Sequence, residues 1–278
     1  MSSTINTNVS SIISQNALSK NQRAMQKTME SLSTGSRINR ASDDATGLAI
    51  AENMKTQING LTAAVRNAND AISLLQTADS AMGAIGDMLQ RMRELGTLAQ
   101  NDTYSTSQRV AMNDEFVALQ SEIDRVADNT QWNGMNLLDG TGGSSGGQSA
   151  FTFQIGANAN QTITVAVPGM GTATLGISTV SIGTVTAARL AVTALDDAIS
   201  VLNTRRSVIG SAVNRLTYSI ENLESISQNA QMSRSAVADT DYAKATSELA
   251  RSQILQQAGT AMLAQANQQP NMVLALLK

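Results

Sequence analysis

The chain has neither cysteine nor histidine, and only two prolines among its 278 residues. The first two absences remove thiol nucleophiles, disulfides, thiolate and imidazole metal ligands, and the side chain that most often serves as a general base near neutral pH. The sequence therefore points away from an enzyme, and no catalytic, cofactor-binding or metal-binding residue is expected. Aromatic residues make up 3% of the chain. Large aromatic side chains supply much of the burial in globular cores, so their scarcity favours elements packed along narrow seams. Charged residues are 15% of the total and the formal net charge is −3, which leaves no basic footprint for a nucleic-acid partner. No run reaches the roughly 20 apolar residues of a membrane span. The first nineteen residues lack the positive start and continuous apolar stretch of a secretory signal. The expectation is a soluble protein that inserts in no membrane and, if exported, leaves without a cleaved signal peptide.

What is present is ordered by its charge. Residues 1–19 and 252–277 carry no charged side chain, and both mix Ala, Leu, Ile and Met with Ser, Asn and Gln. A solvated tail normally carries charge, and a membrane anchor normally lacks so many amides. Two matching neutral ends predict surfaces that are buried against other protein. The candidate residues are Val9, Ile12, Ile13 and Leu18 at one end. At the other they are Ile254, Leu255, Met262, Leu263, Val273, Leu274 and Leu277.

Between the ends the periodicity is helical. Leu18, Met25 and Leu32 keep heptad spacing up to a stop at Gly35. Ser42-Asp43-Asp44 then opens a long helix from Ala45 to about Gln100. Its apolar positions run Met54, Ile58, Leu61, Val65, Ala68, Ile72, Leu75, Met82, Ile85, Leu89 and Met92, the pattern of a coiled coil roughly 80 Å long. Asp79 interrupts it once, with Ala78 able to take its place. A capping box at Ser105 and Gln108 starts a third helix with Met112, Phe116, Leu119, Ile123 and Val126 on its seam. The short connection makes it an antiparallel neighbour.

Residues 140–188 are again uncharged, but FTFQIG and QTITVAV alternate in period two and predict a β-hairpin after a TGGSSGG loop. Pro168-Gly169 marks a turn, and TLGISTVSIG reads equally as strand or loop. From about Thr186 the heptads resume through Leu195, Ile199, Leu202, Ile209, Val213, Leu216, Ile220, Leu223 and Ala230. Arg206 and Ser227 fall on that seam, implying drift or a polar contact. Asp239-Thr240-Asp241 breaks the chain and recaps the last helix. The fold class is mainly α: a long antiparallel coiled-coil rod, a small β-hairpin region and paired terminal helices.

These residues resemble bacterial flagellin across nearly the whole chain. The resemblance rests on INTN at Ile5, LSTGSRINRASDDATGLAIAE from Leu32, RNANDAISLLQTAD from Arg66 and LQRMREL from Leu89. It continues in EIDRVADNTQWNGMNLLDG from Glu122, FQIGAN at Phe153 and DYAKATSELARSQILQQAGTAMLAQANQQP from Asp241. It implies an inner helical domain from residues 1–40 and 239–278. It also implies a rod domain from 41–135 and 187–238, with the hairpin and Gly/Ser loop at 136–186. The chain is similar to a minimal member with a short central region. One departure stands before Asp239, where the family has Arg-Ile-x-Asp and this chain has Ala236-Val237-Ala238-Asp239.

The resemblance further implies a structural subunit, exported unfolded through the flagellar type III channel to an extracellular filament. Its partners would be other copies of itself, an export chaperone, the filament cap and hook-junction proteins. LQRMREL matches the patch recognised by the innate-immune Toll-like receptor for flagellin. Leu89, Gln90, Arg91, Arg93, Glu94 and Leu95 would form it, with Glu115 on the adjacent helix, and the same face would be an assembly surface in the filament. Two other readings share features: a hook–filament junction protein has similar helical ends, and a cytoplasmic coiled-coil scaffold would explain the heptads alone. Ends this neutral are expected to order fully only in a polymer, because ordering costs about 1–2 kcal/mol per residue and a lone helix buries too little to offset it.

Overall fold

The computed structural model of the chain describes residues 7–142 and 150–275, and side chains up to residue 268. The TGGSSGG loop lies largely outside the described residues. The helices are α1 (Val9–Thr34), α2 (Ala45–Ala99), α3 (Thr106–Asn129), α4 (Val185–Ala238) and α5 (Tyr242–Ala275). Two antiparallel pairs of strands accompany them: β1 (Gln131–Trp132) with β2 (Met135–Asn136), and β3 (Ala150–Gln154) with β4 (Thr162–Ala166). The fold is mainly α, and no helix among the described residues is long and apolar enough to cross a membrane. The chain divides into two compact units, residues 57–228 and residues 1–56 with 229–278.

In the larger unit α2 and α4 run antiparallel. Asp79 pairs with Arg206, Gly86 packs against Leu202, and Gln100 donates to the Ala188 carbonyl, so the paired numbers fall on one helix as they rise on the other. The buried seam of α2 is Leu61, Ala64, Ala68, Ala71, Leu75, Ala78, Met82, Ile85, Leu89 and Met92. On α4 it is Leu195, Ala198, Leu202, Ile209, Ala212, Leu216 and Leu223. The heptad is as the sequence indicates, but at one of its two positions the seam sits one residue earlier. Ala64, Ala71, Ala198 and Ala212 are buried, whereas Val65, Ile72, Ile199 and Val213 are half-buried beside them. Small residues let the helix axes approach, and the branched neighbours pack on the flank of the core. Asp79 and Arg206 meet where both seams are interrupted, with Nε to Oδ1 at 2.8 Å and Nη2 to Oδ2 at 3.3 Å. That ion pair is the polar contact the seam residue Arg206 implied.

The third helix begins at the predicted capping box: Ser105 Oγ accepts from the Gln108 amide, and the Gln108 side chain accepts from the Ser105 amide. It buries Phe116, Ile123 and Ala127, and also Gln120, which apolar periodicity does not select. Gln120 Nε2 donates to the carbonyls of Ile177 at 2.6 Å and Val180 at 3.1 Å. Asn113 Oδ1 accepts from the Ile182 amide, and Asp124 accepts from the amide and hydroxyl of Thr172. Residues 168–184 are therefore irregular rather than a strand: α3 side chains satisfy their backbone while Met170, Leu175, Ile177 and Ile182 fill the core.

The predicted hairpin pairs Phe151 with Val165 and Phe153 with Ile163. Phe151, Ile163 and Val165 face inward, and the Thr152 and Thr164 hydroxyls meet at 3.1 Å on the outer face. Gly60 of α2 admits the hairpin tip, since a Cβ there would lie 2.9 Å from the Ala157 Cβ. The smaller hairpin turns on Asn133 and Gly134, both at positive φ (49° and 77°), the geometry an Asn-Gly turn supplies. The sequence ends α3 before this turn, but its flanking strands are two residues each, too short to show a period.

Candidate functional site

In the smaller unit α1 and α5 pack antiparallel, and the local chemistry of their ends explains where each begins. Asn8 caps α1 by accepting from the Ser11 amide at 3.1 Å. Gly35 closes it in the left-handed region (φ 72°), donating to the Ser31 carbonyl. Asp241 caps α5, accepting from the amides of Ala243 and Lys244. The two entry points are tied by backbone: Ser36 bridges Asp239, Arg37 donates to the Ala238 carbonyl, and Thr240 donates to Gly35. Beside Ala236 the Arg37 side chain reaches across and donates to the Val237 carbonyl. Asp43, beside this junction, pairs with Lys27 at 2.9 Å, and the ammonium holds its carboxyl below the usual carboxylate range.

The face that joins α1 to α5 is small and polar. Ala245, Ser252, Gly259 and Ala266 recur every seven residues along α5, and all but the half-buried Gly259 are buried. Opposite them Asn21 Nδ2 donates to the Ser252 carbonyl and Asn8 Nδ2 to the Ala266 carbonyl, both at 2.7 Å. Ser11 Oγ donates to Asn267 Oδ1 at 2.8 Å, and Leu18 lies against Gly259. Ser11 extends the Leu18, Met25 and Leu32 heptad one repeat upstream. Among the described residues both ends are helical, over Val9–Thr34 and Tyr242–Ala275. The close fit of small residues accounts for it.

The large apolar residues are left on the outside. Val9, Ile12, Ile13, Ile254, Leu255 and Met262 are between 48% and 65% exposed. Leu18 and Leu263 are half-buried. The side chains of Val273 and Leu274 and the whole of Leu277 lie outside the described residues. Folded soluble proteins normally put such side chains inside. Here large apolar side chains stand outside an interface built mainly from Ser, Ala, Gly and Asn with Leu18, and no charged residue occurs in 252–277 beside them.

The second candidate face is on the larger unit. Arg91 of α2 lies 2.9 Å from Glu115 of α3 and 3.2 Å from Glu94. Glu115 first, then Glu94, raise the pKa of its guanidinium further above an already high value. Two residues on, Arg93 reaches the opposite way, to Asp196 of α4. Gln90, Arg91, Arg93, Glu94 and Glu115 are exposed, whereas Leu89 and Leu95 are buried beneath them. The two leucines hold the charged residues in place from the core and present no surface. Asp196 joins this face without a sequence signal, because it is more than a hundred residues away in the chain. Asn8, Ser11, Asn21 and Ser252 did have one: the small-residue heptad on α5 marks the side that α1 covers.

A model of the bacterial flagellin N-terminal helical region matches residues 5–142, and one of the bacterial flagellin C-terminal helical region matches residues 192–277. The flagellin of Halalkalibacterium halodurans is 41% identical over 276 residues, covering 99% of each chain. The flagellar filament 33 kDa core protein of Treponema phagedenis is 40% identical over 284 residues, again covering 99% of each. A crystal structure of Bacillus cereus flagellin matches with a TM-score of 0.51 at 33% identity, covering 57% of this chain and 88% of that one. The chain belongs to the bacterial flagellin family and is a structural subunit of a flagellar filament.

Proposed function

We propose that the outward apolar faces of α1 and α5 are the contacts by which copies of this chain join in the filament. The observation that carries this is the inversion of the terminal pair: small residues face inward while Val9, Ile12, Ile13, Ile254, Leu255 and Met262 face out. Each such side chain contributes about 1.5–3 kcal/mol on full burial, and the monomer leaves roughly half of that unrealised. The neutrality of 1–19 and 252–277 fits the same role, because a helical assembly sets identical segments near one another and like charges there would repel. The subunit works outside the cell, with an export chaperone, a cap and hook-junction proteins as its further partners. Adding purified chain to sonicated filament seeds tests the reading. Seeds should lengthen, and chain lacking residues 252–278 should fold in its larger unit yet add nothing. Growth by the truncated chain would refute it.

The same monomer is also the ligand of the Toll-like receptor for flagellin, through the exposed Gln90, Arg91, Arg93, Glu94 and Glu115. Support comes from the match of LQRMREL to the family's patch and from the Arg91–Glu115 pair, which fixes the guanidinium on the surface. Arg91→Ala should weaken receptor signalling by monomer at unchanged thermal stability; unchanged signalling would remove this part.

A further inference from the structure

The chain has 13 methionines; among the described residues Met29, Met135 and Met232 are between 44% and 56% exposed and several others are half-buried. Met82, Met92 and Met170 are at most 1% exposed, packed in the core of the larger unit where an oxidant in solution does not reach the sulfur. Met262 on α5 is 64% exposed. It stands one heptad beyond Leu255, so the two share a stripe on the outer face. No charged side chain occurs between 252 and 277 to solvate an added polar group.

We infer that Met262 is a redox-sensitive point of assembly: conversion of its thioether to the sulfoxide in the free chain blocks addition to a filament. This rests on the reading of the outer faces of α1 and α5 as contacts between copies. The co-reactant is a peroxide. A lone pair on sulfur attacks one peroxide oxygen, the O–O bond breaks, an S–O bond forms, and the displaced hydroxide takes up the remaining proton and leaves as water. Sulfur loses two electrons and the peroxide gains them. The product replaces a flexible apolar side chain by a polar, chiral one. In the monomer this changes little, because the sulfur is already in water. In a filament the new oxygen is carried into an apolar contact, where an uncompensated polar group is disfavoured. Once a copy is assembled, its Met262 is covered and escapes the reaction. Oxidation state therefore acts on free subunits and spares the polymer.

The test treats purified monomer with hydrogen peroxide under native conditions, locates sulfoxide by peptide mass spectrometry, and follows elongation from filament seeds. Conversion at Met262 should slow elongation by about tenfold or more with the helical circular dichroism unchanged. The substitution M262L should keep its untreated rate after the same dose. Incubating oxidised native chain with both types of methionine sulfoxide reductase, one for each sulfoxide epimer, should restore growth. If M262L adds poorly on its own, the loss of growth should follow the sulfoxide fraction at Met262 across a dose series and not the fractions at Met29, Met135 and Met232; growth loss that follows those residues instead would overturn the inference. Filaments given the same dose should show far less sulfoxide at Met262. Unchanged elongation after full conversion, or loss of growth by M262L equal to that of native chain, would overturn the inference. Failure of untreated native chain to lengthen seeds would instead bring down the subunit reading, and this inference with it.

Discussion

Replacing Ile254 and Leu255 together by glutamine perturbs the terminal pair where the single chain has least to lose. Ile254 is 65% and Leu255 53% exposed, so in the monomer both sit largely in water. Substitutions at such positions change stability by about 0.5 kcal/mol or less, and glutamine is a good helix former. In the proposed assembly the exposed portions become buried. At about 1.5–3 kcal/mol for a fully buried side chain, those portions contribute about 2–3.5 kcal/mol per subunit. Each 1.4 kcal/mol is a factor of ten in an equilibrium constant, so the critical concentration should rise about 20- to 300-fold. Sedimentation of seeded polymer measures the subunit concentration left in solution, and circular dichroism melting of unseeded chain controls for stability. A critical concentration within threefold of native would refute the reasoning. So would a loss of monomer helicity, since that would make the two residues part of the monomer's own packing.

The ion pair in the α2–α4 seam should be worth little on its own, because the Arg206 and Asp79 side chains are still 41% and 40% exposed. A double-mutant cycle on Asp79→Ala and Arg206→Ala should give a coupling of about 0.5–1 kcal/mol, and zero coupling would show that the contact does not join the seams. Gln120→Leu removes the side-chain donor from the Ile177 and Val180 carbonyls and leaves Ile177 only the 3.3 Å bond from the Val180 amide. It should cost about 1–3 kcal/mol in urea unfolding and expose residues 168–184 to limited proteolysis; an unchanged midpoint would contradict the anchoring role. Asp43 is held below its ordinary pKa first by the Lys27 ammonium, against a smaller opposing effect of burial, with help from the Arg40 and Asn39 amides. A carboxyl depressed on folding stabilises the fold above its unfolded pKa, and that contribution is lost as pH falls through the folded value. Acidification should therefore loosen the α1 junction only below the usual carboxylate range, and Lys27→Met should move the Asp43 titration, read by carboxyl NMR, upward toward the ordinary carboxylate range. An unmoved midpoint would exclude the pair as the cause.

Periodicity carried most of the fold because helices repeat faithfully. Leu61, Leu75, Met82, Ile85, Leu89 and Met92 lie on the buried seam that their spacing indicates, and the caps stand where side-chain acceptors (Ser105, Asp241) or the freedom of glycine (Gly35) put them. The spacing did not decide between adjacent residues. Ala64 and Val65 are one step of about 100° apart, and hydrophobicity favours the valine while close approach of the axes favours the alanine. Gln120 was hidden for the opposite reason: it is polar and buried because a distant irregular segment needs its amide. The charged cluster of α2 was legible as a run, but Asp196 and Glu115 come to it from other helices, and only folding sets those distances. The terminal pair shows the same limit. Two neutral ends were visible at once, yet that their small residues face each other and their large ones face out depends on the rotation of α1 against α5.

The central claim is that the outer faces of the terminal pair are open in the single chain and covered by other copies in the filament. The absence of cysteine makes this directly measurable. Ile13→Cys and Ile254→Cys each introduce a single thiol at a position that is 62% or 65% exposed. The rate of maleimide labelling can then be compared for monomer and for filament grown from it. The account predicts rapid labelling of monomer and labelling slowed by about a hundredfold or more in filament, as expected for a side chain withdrawn from water and opened only by local fluctuation. Equal rates in the two states would contradict it.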